Sequence, residues 1–100
     1  MAMTEKVLAP ETSKEVPPLV KVAQAVEWGV VIDGYLVNAA AVGDVFAATL
    51  YFDHARIIAD GATVVTPPCR EVLQLDGFKL LRSRCGADHY VVVTEFNGDA

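Results

Sequence analysis

The sequence predicts a mainly β domain, either a small antiparallel β-barrel or a curved meander sheet, with a flexible N-terminal tail and one short helix; α+β is the alternative class. Three Asp-Gly pairs between short apolar segments favour this fold, because Asp-Gly suits two-residue hairpin turns that need positive φ. They are Asp33-Gly34, Asp60-Gly61 and Asp76-Gly77. A β-branched run near the C-terminus, without strand–helix–strand spacing, indicates the same class.

The chain of 100 residues is long enough for one domain, predicted over residues 18–100 after a flexible tail at residues 1–17. Charged residues and prolines interrupt any periodicity in the tail. Pro18 is suited to the first turn of a short helix that carries Leu19, Val22, Ala23 and Val26 on one side. The valines also fit a strand, and the helix is favoured.

The first predicted hairpin joins residues 27–32 and 35–39 around Asp33-Gly34 and presents one apolar face. Residues 39–53 leave helix and strand both open. Their β-branched and aromatic members favour a strand over residues 45–52, with Gly43-Asp44 as the turn before it.

The second half predicts a hairpin around Asp60-Gly61, ended by Pro67-Pro68, and a three-stranded meander after it. Its hairpin joins residues 71–75 and 78–84 through Asp76-Gly77, with Leu73, Leu75, Phe78 and Leu80 on one face. Residues 85–88 then turn the chain into a strand at residues 89–96.

Composition and charge narrow the function classes. A hydrophobic fraction of 53% in so small a chain predicts an apolar surface that a partner protein or a second copy covers. No apolar run approaches the roughly 18 to 20 residues that span a membrane, and the charged N-terminus does not resemble a secretory signal, so we expect a cytoplasmic protein. The net charge of −5 makes nucleic acid an unlikely partner.

The order of turns and strands in the second half also carries a resemblance. The residues concerned are Asp60-Gly61, Val64, Thr66, Pro68, Arg84-Cys85-Gly86 and Tyr90-Val91-Val92. Residues 60–92 thereby resemble small uncharacterised β-rich bacterial proteins, many from prophages and mobile elements, and depart from them at Pro67, where serine is usual. Some small proteins of that setting are anti-CRISPR or other host-directed inhibitors. The resemblance implies a protein that binds a host protein complex without catalysis.

No residues form a recognisable catalytic, cofactor or metal motif, so we expect none of the three. The candidate ligands His54, His89, Cys69, Cys85 and Asp53 lack metal-site spacing. In a regular third hairpin Cys69 faces Arg84, and Cys85 projects from the other side of the sheet. This arrangement favours free thiols, because a Cys69–Cys85 disulfide would need a bulge or a slipped register.

Four residues are predicted to bind a partner: Arg56, Arg82, Arg84 and Tyr90. The function predicted is a non-enzymatic protein–protein interaction module, of the host-inhibitor kind that the resemblance implies. The alternative is a small β-barrel that binds single-stranded nucleic acid through Arg82 and Arg84. The charges of Arg70, Lys79, Arg82 and Arg84 on the last meander can instead pair with Glu71, Asp88 and Glu95. Arg56 can pair with Asp53 or Asp60 to fix a loop.

Overall fold

The computed structural model describes residues 15–96, so most of the predicted tail, residues 1–14, lies outside the described residues, as do residues 97–100. Within this range the chain forms a helix, α1 (Pro18–Gln24), and six strands. The strands are β1 (Gly34–Val42), β2 (Val45–Tyr51), β3 (Ala62–Val65), β4 (Cys69–Leu75), β5 (Phe78–Ser83) and β6 (His89–Val92). The predicted mainly β class with a short helix is confirmed. Over residues 15–96, no helix has the length and apolar character needed to cross a membrane.

The strands form one mixed sheet in the order β3-β2-β1-β6-β5-β4. Each half of the chain is an antiparallel meander, which confirms the meander predicted for β4, β5 and β6. The halves meet where β1 runs parallel to β6, with Gly34, Tyr35 and Leu36 opposite Tyr90, Val91 and Val92. The sheet is therefore not wholly antiparallel. It is also open, so the curved sheet is observed and the closed barrel is not.

The connection between β3 and β4 requires strong curvature. These strands lie at opposite edges of the sheet, yet only residues 66–68 join them. Four peptide units reach at most about 15 Å, whereas the outer strands of a flat six-stranded sheet lie about 24 Å apart. The sheet curls accordingly: the Cys69 N–H donates to the Asp44 carbonyl at 2.7 Å, so the β1–β2 turn lies at the start of β4.

Each face of the sheet carries a buried cluster. The helix face carries the cluster Val20, Ala23, Trp28, Tyr35, Tyr51, Phe78, Leu80, Val91 and Val93. The enclosed face, inside the curl, carries Leu36, Ala39, Ala48, Leu50, Cys69, Leu81 and Val92. Neighbours in sequence alternate between the faces, as strand geometry requires. This two-sided burial accounts for much of the apolar composition within the domain itself.

Helix α1 is present as favoured, with Pro18 in its first turn, but it packs through a different side. Val20 and Ala23 are fully buried, whereas Leu19 and Val22 are exposed. The Trp28 indole N–H donates to the Ala23 carbonyl at 3.0 Å and holds the end of the helix against the next segment.

The first predicted hairpin is wrong. Residues 25–33 contain no strand, and Gly34 is the first residue of β1. Asp33 instead begins the parallel pairing: its N–H donates to the His89 carbonyl at 2.7 Å, and its carboxylate accepts from the His89 N–H at 2.9 Å. A long-range pairing therefore overrides the local turn preference of Asp-Gly.

The second predicted hairpin is also wrong as a two-residue turn. Gly61 has the expected positive φ of 90°, but it ends a ten-residue loop, residues 52–61, between β2 and β3. The Asp60 carboxylate accepts from the Phe52 N–H across this loop at 2.8 Å. The strand over residues 45–51 and its turn at Gly43-Asp44 are confirmed, as is the end of β3 before Pro67.

The third hairpin is confirmed. Asp76 and Gly77 have φ values of 56° and 84°, and Leu75 lies opposite Phe78. A bulge between Glu71 and Leu73 then shifts the register, so Cys69 faces Ser83 rather than Arg84. Of the four apolar residues predicted to share a face, Phe78 and Leu80 are buried, whereas Leu73 and Leu75 stay exposed on edge strand β4.

Replacing Gly34 with alanine is expected to cost about 1–3 kcal/mol of unfolding free energy, because a Cβ there would overlap the buried Leu50 Cδ1. Urea unfolding measures the loss. Adding Leu50→Val to Gly34→Ala should restore part of the lost unfolding free energy. Adding Leu50→Val to the control variant Gly77→Ala should restore none, because that variant loses stability through the positive φ of residue 77. Full stability of Gly34→Ala, or no recovery with Leu50→Val, would contradict this packing.

Candidate functional site

A cleft of about 1150 Å³ opens on the described part of the domain. One wall is the segment after α1, residues 26–32, and the other is the β2–β3 loop, residues 52–60. Trp28 and Tyr35 belong to both the cleft lining and the helix-face core. The cleft is therefore continuous with the packed interior of the domain.

Each wall of the cleft carries exposed aliphatic side chains. Val30 and Val31 lie on the first wall, and Ile57 and Ile58 lie on the second. Ile57 is 84% exposed and Val31 is 59% exposed, although both are large apolar residues. An apolar cluster of this kind around a groove is typical of a surface that another molecule covers.

The loop that carries Ile57 and Ile58 is held by its own acidic residues. The Asp53 carboxylate accepts from the Ile57 and Ile58 N–H groups at 2.8 and 2.9 Å. These hydrogen bonds favour the charged form and lower the pKa of Asp53 below its usual value. The His54 N–H donates to the Asp33 carbonyl at 2.9 Å. This hydrogen bond ties the loop to the residue just before the parallel pairing of β1 with β6, a pairing called the seam below.

The aromatic side chains at the base of the loop add a packing contact. Tyr35 and Phe52 meet edge to face, with ring centroids 6.1 Å apart and planes at 83°. Phe52 has a φ of 57° and Arg56 a φ of 61°, a conformation that costs energy for residues other than glycine. The loop is therefore held in one shape by hydrogen bonds and packing that outweigh this strain.

The charges around the cleft are mainly acidic. Glu27, Asp53 and Asp60 line it, against the single arginine of its lining, Arg56. Asp53 and Asp60 bond backbone N–H groups, not Arg56, so the predicted ion pair that fixes the loop is wrong. The cleft can bury aliphatic groups while offering carboxylates to a nearby cation.

The four predicted partner-binding residues do not form one surface. Arg56 lies in the cleft wall, whereas Arg84 donates through Nε to the Asp44 carboxylate at 2.8 Å near the start of β4. Arg82 is exposed on β5. Tyr90 packs half-buried against the enclosed face, where burial raises its pKa to about 12.

The predicted pairing of the basic strand residues with Glu71 and Glu95 is confirmed for Lys79, which contacts both carboxylates. The Glu95 contact raises the pKa of Lys79. This trio lies at a smaller cavity of about 380 Å³ that opens on the enclosed face beside Ala39, Ala40 and Phe46.

The two cysteines are free thiols in different environments. Cys69 is buried and its thiol donates to the Pro67 carbonyl at 3.1 Å; burial raises its pKa. Cys85 is exposed, and its hydrogen bonds with the Ser83 hydroxyl and the Ala87 backbone lower its pKa. Between residues 15 and 96, no three His, Cys, Asp or Glu side chains come together as a metal site.

Sequence reasoning missed the cleft for an identifiable reason. The sequence predicts a strand with one apolar face over residues 27–32, and it predicts that Ile57-Ile58 belongs to the hairpin around Asp60-Gly61. The available signal was Asp53, since an aspartate four residues before an apolar pair can cap a loop and leave the pair outside a ladder. Comparison with protein families, curated proteins and solved structures gives no match for this chain. The resemblance to mobile-element proteins accordingly stays a prediction.

Replacing Asp53 with alanine is expected to lower the free energy of unfolding by about 1 kcal/mol at pH 7, because two loop N–H groups lose a charged acceptor. Asp53 has a lower pKa when folded, so its stabilisation is complete above the ordinary value of 3.8 and disappears as the pH falls through the folded value.

Denaturant unfolding of the wild type and Asp53→Ala at pH 7 and at pH 2.5 measures both effects, with Glu27→Ala as an exposed acidic control. The difference between wild type and Asp53→Ala should shrink at the lower pH. An equal difference at both pH values would contradict the assigned role of the carboxylate.

Proposed function

We propose that this chain is a non-enzymatic protein–protein interaction module that binds its partner in the cleft. The observation that carries the proposal is that four exposed aliphatic residues, Val30, Val31, Ile57 and Ile58, line one groove. Burying an aliphatic side chain of this size contributes about 1.5–3 kcal/mol. A partner that covers both walls would gain most of its affinity there.

The fixed shape of the loop supports the same proposal. A flexible loop would lose conformational entropy when a partner binds, and that loss would reduce affinity. Here the Asp53 and Asp60 carboxylates and the His54 N–H already hold the loop. The isoleucines are thus presented to a partner at little further entropic cost.

The charge of the cleft favours a partner segment of defined composition. Glu27, Asp53 and Asp60 line it, and the chain as a whole carries a net charge of −5. An apolar segment flanked by lysine or arginine would complement this surface and associate faster at low salt. The proposed partner is a host protein or complex in the cytoplasm, and inhibition of a defence complex is the finer proposal that follows from the resemblance of residues 60–92.

The nucleic-acid alternative has less support. This alternative needs Arg82 and Arg84 to lie beside exposed aromatic rings. Instead, Arg84 donates a hydrogen bond to Asp44, and Tyr90 packs against the enclosed face. Stacking on single strands requires exposed aromatic rings next to a basic groove.

The test uses Ile57→Asp and Val31→Asp, one on each wall, with Val42→Asp as the control. Val42 is 69% exposed and lies at the end of β1, outside the cleft. Tagged wild-type protein purified from its host should retain a stoichiometric protein partner. Both cleft variants should weaken that complex at least about tenfold in calorimetry with the purified partner, whereas Val42→Asp should not.

Circular dichroism confirms that each variant is folded before binding is measured. Equal binding by the cleft variants and wild type would contradict the cleft as the interface. Retention only of a second copy, seen as a dimer in analytical ultracentrifugation, would replace the host partner with self-association.

A further inference from the structure

A row of basic side chains crosses three neighbouring strands outside the cleft. Arg70 of β4 is the register partner of Arg82 of β5, and Arg82 is the register partner of His89 of β6. Directly opposed residues of an antiparallel pair share a face, with Cβ atoms about 4.5–5.5 Å apart. Arg82 follows Leu80 by two residues, so the row lies on the helix face, near the start of β4.

The two arginines are opposed like charges without a carboxylate. Other basic residues on β5 and beyond are paired: Lys79 with Glu95 and Glu71, and Arg84 with Asp44. Among residues 15–96, no carboxylate lies within ion-pair distance of Arg70 or Arg82. Opposed like charges destabilise a strand pair. Their positive charge is therefore available to an anion from solution.

Arg82 is also held in place. A Cβ on Gly86 would lie 3.0 Å from the Arg82 Nη2 atom and 3.5 Å from Nε, so the guanidinium rests over this glycine. Gly86 has a φ of 85°, and its N–H donates to the Ser83 carbonyl at 2.8 Å. The Ser83 hydroxyl accepts from the Asp88 N–H at 3.0 Å and secures the same turn. The Arg82 guanidinium therefore lies against this turn.

We propose that Arg70 and Arg82 form a binding site for a dianionic phosphate group, as carried by a phosphate monoester. A planar guanidinium group can donate two N–H groups to phosphate oxygens, and two such groups are register partners on one face here. Their combined charge of two matches the monoester, which carries about −1.5 to −2 at neutral pH. A nucleic-acid phosphodiester carries only one charge per group, and the row offers its bases no Phe, Tyr or Trp ring, only the part-exposed imidazole of His89.

The site is tested by NMR titration of the full chain with inorganic phosphate at pH 7.5, at constant ionic strength maintained with sodium chloride. Amide shifts at Arg70, Arg82 and Gly86 should saturate. Arg82→Gln should weaken binding at least about tenfold, whereas Arg56→Gln, which changes an exposed arginine of the cleft, should leave it unchanged. Shifts that stay linear, or that are equal in wild type and Arg82→Gln, would overturn the site.

Thermal unfolding gives an independent readout. In dilute chloride buffer Arg70→Gln should be at least as stable as wild type, because it removes the opposed charge. Phosphate stabilises proteins in general because it is excluded from their surface. The informative quantity is therefore the difference between the two proteins in the Tm increase that phosphate causes. Phosphate should raise the Tm of wild type more than that of Arg70→Gln. Equal increases would overturn the proposal.

A single-stranded oligonucleotide without a terminal phosphate distinguishes the source of the phosphate. The proposal expects it to compete with inorganic phosphate poorly. Strong competition that is lost in Arg82→Gln would overturn the monoester assignment in favour of a nucleic-acid backbone. Neither result depends on the cleft, so failure here is separable from failure of the protein-binding proposal.

Discussion

The parallel pairing of β1 with β6 is the interaction on which the rest of the structure depends. It joins two antiparallel meanders, β1-β2-β3 and β4-β5-β6, and each meander consists of strands that are consecutive along the chain. Hydrogen bonds continue past the strand ends, where the Val93 N–H donates to the Leu36 carbonyl and the Ala39 N–H donates to the Thr94 carbonyl, at 2.8 and 3.0 Å. Reciprocal bonds between Asp33 and His89 close the other end. Without this seam each meander would expose two apolar faces.

The seam also assembles both cores. Tyr35 and Val91 are opposed in register and point to the helix face, whereas Leu36 and Val92 point to the enclosed face. Residues from both halves of the chain meet in each cluster, so neither core can form from one meander alone. The short link at residues 66–68 has the same effect, since it forces the outer strands to curl around the enclosed cluster.

The candidate cleft depends on the seam through Asp33. This residue bonds His89 on one side, and its carbonyl accepts from His54 of the β2–β3 loop on the other. The wall that carries Ile57 and Ile58 is therefore positioned by the same residue that starts the parallel pairing. Trp28, bonded to the end of α1, positions the opposite wall.

The elements that could be predicted from the sequence are those whose signals are local. Asp76-Gly77 forms its two-residue turn because both residues accept positive φ and their flanking strands pair with each other. Val45 to Tyr51 is a strand because β-branched and aromatic residues favour one. Asp33-Gly34 has the same dipeptide, yet its role comes from His89, which lies 56 residues away. No local pattern reveals such a partner.

The candidate site was harder to predict for the same reason. Ile57-Ile58 resembles a strand segment, and only the hydrogen bonds from its backbone to Asp53 place it in a loop. The bulge at Val72 decides the pairing of Arg70 with Arg82, because a regular hairpin would shift the register by one residue. Arg82 is a predicted binding residue from its charge alone, whereas its pairing with Arg70 follows only from the observed register.

Native-state hydrogen exchange over a series of denaturant concentrations tests the central role of the seam most directly. If the parallel pairing unites both cores, the slow amides of β1 and β2 and those of β5 and β6 should converge on one opening free energy. Protection of β5 and β6 that persists after β1 and β2 have exchanged would show that the C-terminal meander is stable alone, and would contradict the account.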